Sequence, residues 1–269
     1  MRLALILIVL MLALAVAGAA MAQTTGLKRL TLRQDLLGFE AVGRLELGAR
    51  GYCTGVLISP KLVLTAAHCL ERVARGQIGI GDMRFRAGLR DGEVVAERRA
   101  KAAAVHPGYR IGGLMTAWNI RHDVALVELE TAIPAATAAP FRVDRLPGRN
   151  RAVSVVSYAK GRSDALSWQG ECRVLGREAA LFAFDCDVTF GASGAPVFDR
   201  SGGRARIVSL ISSGYREAGR GIAFGMELPA VVELLKRELR VGRGLAAVAR
   251  APGRLPAANT SPGAKFVRP

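Results

Sequence analysis

The chain holds only three histidines, and one of them, His68, lies in the run Thr65-Ala66-Ala67-His68-Cys69. An aspartate follows in His122-Asp123-Val124-Ala125-Leu126, and a serine in Gly191-Ala192-Ser193-Gly194-Ala195-Pro196. Serine is a poor nucleophile at neutral pH unless an imidazole takes its proton. That imidazole in turn needs a buried carboxylate to hold its tautomer and stabilise its charged form. The order His, Asp, Ser therefore supplies a base, an orienting acid and a nucleophile for acyl transfer. His68 ends an apolar run and enters a short turn, Asp123 opens a run so apolar that its charge needs a partner, and Ser193 is flanked by glycines that let the backbone turn sharply. His106, before Pro107-Gly108, reads as a loop residue, and His122, if it shares a strand with Asp123, must point to the opposite face.

The three motifs agree in identity, order and wide spacing, and over roughly residues 42–239 the chain resembles the trypsin/chymotrypsin-like serine proteases. In motif style it is similar to exported bacterial proteases of the glutamyl-endopeptidase-like branch. The resemblance implies an all-β fold of two six-stranded antiparallel barrels closed by a C-terminal helix, peptide-bond hydrolysis through an acyl-enzyme on Ser193, and an oxyanion hole from the amides of Gly191 and Ser193. It also implies that Asp187 lies at the base of the primary pocket, with Ser212, Ser213 and Gly214 as one wall and Gly221 as another. Ile211 stands where glutamate-specific relatives carry a histidine. A buried carboxylate selects Arg or Lys. If Asp187 only caps its loop, Ile211 and the pocket's width select a small apolar side chain, and an acidic one is the least expected. Ala192 replaces the aspartate that in digestive members receives the new N-terminal amine, so that activation switch cannot operate in the same form.

The elements that must position these residues are legible in outline. Gly55–Ile58, Leu62–Ala66, Val124–Leu129, Ala152–Tyr158 and Ile207–Ser212 are strand-length apolar runs rich in β-branched residues. Pro134, Pro140 and Pro147 break the pattern. This divides the chain into a first barrel over 40–133, a linker over 134–150 and a second barrel over 151–228, with the site in the cleft between them. Pro229 opens a helical pattern to residue 240, with Val231, Leu234, Leu235 and Leu239 on one face and an i,i+4 pair of Glu233 and Arg237.

Arg2, an apolar run and Ala20-Met21-Ala22 fit an export signal over 1–22 cleaved before Gln23, with a membrane anchor as the alternative. Residues 23–39 then form an arm or a short propeptide. Four cysteines in an exported chain are most simply two disulfides, and closeness in sequence favours Cys53 with Cys69 and Cys172 with Cys186. With no CxxC and no ligand spacing among the histidines, neither a metal nor another cofactor is expected. The formal charge is +16, and Arg240 to Pro269 holds six basic residues and no acid. Residues 241–269 thus read as a disordered basic tail, serving solubility or attraction to an anionic surface or polymer rather than specific nucleic-acid recognition. A polypeptide is the expected substrate. The competing class is an idle protease-like binding protein for anionic polymers.

Overall fold

A computed structural model describes residues 26–246 except 50, 147, 149, 150, 218 and 219. The export signal and the tail beyond 246 lie outside the described residues. The first barrel is built from β2 (Val42–Leu47), β3 (Tyr52–Ser59), β4 (Leu62–Thr65), β5 (Met83–Ala87), β6 (Ala96–Val105) and β7 (Ala125–Leu129). Antiparallel pairing runs β6-β5-β2-β3-β4-β7 and returns from β7 to β6, so the six strands close on themselves. Alternation drives this. In β5, Met83, Phe85 and Ala87 are buried while Arg84 and Arg86 face outward. Along the outer face Glu46 takes Arg44 and Arg86, and Glu97 takes Arg84 and Arg86.

The second sheet contains β8 (Ala152–Ala159), β9 (Arg162–Glu178), β10 (Leu181–Phe184), β11 (Pro196–Asp199), β12 (Arg206–Leu210), β13 (Ser213–Glu217) and β14 (Arg220–Met226), in the order β12-β11-β8-β9-β10-β14-β13. Where the first barrel closes by backbone pairing, this one is a half-barrel. The Ser209 hydroxyl bridges β12 to β14, donating to Met226 O at 2.8 Å and accepting from Met226 N at 3.0 Å. The helix α3 spans Pro229–Arg240, as the periodicity predicts, and packs on β6 and β7.

Between the barrels the core is continuous. Phe198 of β11 meets Phe39 of the N-terminal arm at 6.2 Å and Phe141 of the linker at 4.6 Å, and Tyr158 is fully buried with its hydroxyl on Leu89 O at 2.9 Å. The linker is pinned on both sides, with Phe141 N donating to Leu57 O and Ile207 N to Arg142 O, each at 2.9 Å.

The N-terminal arm is packed onto the second sheet, and the described start of the tail departs from expectation. Lys28 and Arg29 form β1 against Trp168 and Ser167 of β9, while Leu30 and Leu36 are buried, so the described part of the arm is integral packing. The start of the segment read as a disordered tail is a strand, β15 (Leu245–Ala246), paired with Ala103 and Ala102 of β6. Its backbone groups find partners along an existing edge, which composition alone does not reveal.

Replacing Ser209 by Ala leaves the buried amide and carbonyl of Met226 unpaired. This should cost roughly 1–3 kcal/mol and lower Tm by several degrees. Thermal unfolding of the variant checks it, and an unchanged Tm would refute the bridge.

Candidate active site

His68 lies on the 3-10 turn Ala67–Leu70 directly after β4. Its backbone amide donates to Asp123 Oδ1 at 2.8 Å, and its ring Nδ1 sits 2.7 Å from Asp123 Oδ2. The same Oδ2 accepts the Ser212 hydroxyl at 2.6 Å. Asp123 is completely buried, and three donors meet its two oxygens. A carboxylate removed from water is tolerable only with such partners, and here they fix the imidazole with Nδ1 inward.

Ser193 is delivered from the other barrel. Thr54 of β3 donates its amide to Ser193 O at 2.9 Å and its hydroxyl to Gly191 O at 2.9 Å, and accepts Tyr158 N at 3.0 Å on that hydroxyl. Gly194 N donates to Ile211 O at 2.7 Å, and Ile211 N to Ala195 O at 2.9 Å. Two glycines are obligatory here. At Gly194 φ is +75°, and a Cβ would stand 2.3 Å from Thr54 O and from Thr65 Oγ1; at Gly191 φ is +89°, and a Cβ would strike the Tyr52 ring at 2.5 Å. The same Thr65 donates its hydroxyl to Thr54 O at 2.9 Å, and Cys53 is disulfide-bonded to Cys69, which follows His68. Serine loop and histidine turn are thus referenced to one pair of residues, Cys53 and Thr54.

Ser193 Oγ and His68 Nε2 are both buried, and neither has a hydrogen-bond partner among the described residues. The serine–imidazole hydrogen bond is therefore not closed in the structure. Among the described residues, the amides of Gly191 and Ser193 make no backbone hydrogen bond. Ala192 is buried, its amide donating to Thr189 O at 3.0 Å. Asp185 takes the Arg173 amide.

One sequence expectation changes. His122 does not share a strand with Asp123: it ends the short helix α2 (Ala117–His122) and Asp123 caps it, so the His122 ring turns back to Trp118 O at 2.7 Å and packs tilted against His106 at 4.6 Å. Ser212, expected as a pocket wall, also donates its hydroxyl to Asp123. Ile211 is fully buried behind the serine loop, in the core of the half-barrel. Gly214 pairs with Ala223 across β13 and β14, and Gly221 abuts Cys186 O and the Asp187 Cα. Asp187 is not a desolvated, unpaired carboxylate. Its side chain is 38% exposed and ion-paired with Arg216, while Gln169 Oε1 receives its amide at 2.7 Å. Both disulfides, Cys53–Cys69 and Cys172–Cys186, form. The cluster of Cys53, His68 and Cys69 has its sulfurs bonded to each other and offers no thiolate to a metal.

Comparison with known proteins matches residues 53–205 to the trypsin-like peptidase domain. The chain belongs to the trypsin-like peptidase family. A glutamyl endopeptidase of Bacillus licheniformis is 26% identical over 159 residues, which is 57% of this chain and 47% of that protein, so the match spans about half of the relative's length. The solved structure of a Glu endopeptidase in complex with MPD aligns with a TM-score of 0.65 at 18% identity, covering 81% of this chain and 98% of the other, and the chymotrypsin-like architecture is shared.

The His106 ring, packed against His122 beside the segment that leads to Asp123, is held down to about 4 by burial and by the neighbouring imidazole. Its neutral Nδ1 accepts Gly108 N at 3.0 Å. A histidine depressed below its unfolded value of 6.5 favours the fold above that pH, and the contribution drains away as pH falls from 6.5 towards 4. Wild type should thus lose Tm faster than His106→Asn over that interval. Parallel melting curves would count against it.

Proposed function

We propose that this member of the family is an exported serine endopeptidase in which Ser193 is the nucleophile, His68 the general base and acid, and Asp123 the orienting carboxylate. The observation that carries the reading is the fully buried Asp123, held by the His68 amide, the His68 ring and the Ser212 hydroxyl. With Nδ1 engaged, Nε2 is left to take the Ser193 proton as Oγ attacks the carbonyl carbon. The charge that develops on the carbonyl oxygen falls to the Gly191 and Ser193 amides, a type of donor typically worth about 10² to 10³ each in turnover. His68 then protonates the leaving amine, and water attacks the acyl-enzyme by the reverse proton path.

Export is supported by the Ala20-Met21-Ala22 signal and by two disulfides, which suit an oxidising compartment. No helix among the described residues is long and apolar enough to cross a membrane. The reading of an idle binding protein loses ground, because an unused site has no need of a buried carboxylate with three donors. On specificity, the Arg216 pairing removes the ground for an Arg or Lys preference. Asp187 is ion-paired with Arg216 and also attracts Arg162, two guanidiniums to one carboxylate, and the Bacillus relative is named for glutamyl bonds. An acidic side chain ahead of the cleaved bond fits that balance.

Ser193→Ala and His68→Ala should each abolish nearly all peptidase activity, with the double variant little worse, because the two act as a unit. Peptide hydrolysis and fluorophosphonate labelling read this directly, and near wild-type turnover in either variant would remove the assignment. Asp123→Asn should fold yet lose about 10⁴ in kcat by favouring the wrong tautomer. Ser212→Ala withdraws one charge-assisted donor from Asp123 and should cost roughly tenfold in kcat with little change in KM; an unaltered kcat would make the contact incidental.

A further inference from the structure

The hairpin between β8 and β9 brings to the serine loop a cation that makes no hydrogen bond through its side chain among the described residues. Lys160 N donates to Phe190 O at 2.6 Å, so the hairpin tip touches the peptide just before Gly191. Arg162, the first residue of β9, pairs across the turn with Ala159. The next residue, Ser163, accepts Arg44 Nη1 on its carbonyl at 3.2 Å, and Arg44 lies 5.5 Å from the centre of the Tyr52 ring that backs Gly191. Arg162 feels the attraction of Asp187 and of Tyr52.

One of its donors is shielded and unmet. Nη1 is buried without a hydrogen-bond partner, and the side chain makes no hydrogen bond or close ion pair among the described residues. The one carboxylate in the recess, Asp187, is already paired with Arg216, and the nearby Asp164 accepts the Ser163 hydroxyl at 3.4 Å. Burial disfavours the charged form of Arg162 and Arg216 adds repulsion, with Asp187 only partly offsetting both. A half-buried guanidinium whose shielded Nη1 has no acceptor is costly unless something arrives to take it, and its planar fork matches a carboxylate better than any other common group.

We propose that Arg162 is the specificity-determining residue of the peptidase, its guanidinium receiving the side-chain carboxylate of the residue that precedes the cleaved bond. This rests on the endopeptidase reading above. Asp187 then serves the opposite purpose from the one expected of it: it holds Arg216 and Arg162 in one recess despite their like charge instead of attracting a basic substrate. A bound carboxylate makes the count two cations to two anions.

The test uses the processed wild-type enzyme on matched peptides that differ only in Glu, Gln, Leu or Arg before the reporter bond, with fluorophosphonate labelling of Ser193 as a separate readout. Wild type should favour Glu over Gln by about 100-fold in kcat/KM, falling as salt rises, and reject Arg. In Arg162→Gln the Glu-to-Gln ratio should collapse towards one, and Arg162→Lys should restore part of it. A wild type that labels but cleaves Glu and Gln peptides alike overturns the role of Arg162 and leaves the endopeptidase standing. So does an Arg162→Gln enzyme that keeps the ratio. Should wild type neither label nor cleave, the endopeptidase reading itself falls, and this inference with it.

Discussion

Everything at the site depends on the way Thr54 clamps one barrel to the other. Its amide holds the Ser193 carbonyl, its hydroxyl holds the Gly191 carbonyl and the Tyr158 amide, and its own carbonyl accepts Thr65 two residues before Ala67. All of its polar groups are used, and the residue is fully buried. Ser193 and His68, on separate barrels, would drift relative to one another if only apolar packing joined them, since packing is short-ranged but not directional. Hydrogen bonds to one side chain supply the direction. The neighbouring Cys53–Cys69 bond carries that reference to the residue following the imidazole, so the two halves share an origin one residue wide.

Asp123 solves a different problem. A carboxylate with no exposure must be either protonated or surrounded by donors, and the three donors come from two places: the histidine turn of the first barrel and Ser212 of the second. Orientation of the imidazole therefore depends on the barrels being assembled. Around Asp187 the balance runs the other way, with partial exposure, an ion pair to Arg216 and a second guanidinium, Arg162, under its influence. One acid is buried and saturated, the other is open and overmatched.

How much of this the amino-acid order discloses depends on how local the physics is. His68, Asp123 and Ser193 are legible because glycine, alanine and cysteine neighbours encode the turns that present them. Strands such as β3, β4 and β8 are legible because their apolar runs are long enough to be buried on both faces. Thr54 looks like any polar residue in a strand, since its four partners lie between 11 and 139 residues away in the sequence. Ser212 was visible as a residue near the pocket but not as a donor to Asp123, 89 positions earlier. The pairing of Asp187 is equally hidden, since its partner Arg216 sits 29 residues on. The long strand β9 escaped notice because Gly170 and alternating charges such as Glu171 and Arg173 dilute its apolar signal. The helix before Asp123 is six residues long and has little periodicity to show.

The two ends of the described chain have exchanged places. β1 precedes the first barrel yet is hydrogen-bonded to β9 of the second, and β15 follows the second barrel yet is hydrogen-bonded to β6 of the first. Each half of the molecule thus wears a strand that belongs, by chain order, to the other. A cut within the linker around residues 134–150 would not yield two self-sufficient domains, because each fragment would carry away a piece of its neighbour's sheet. The same cut would leave complementary halves, each displaying the strand the other lacks, so that reassembly rather than independent folding becomes the favoured fate of a nicked molecule.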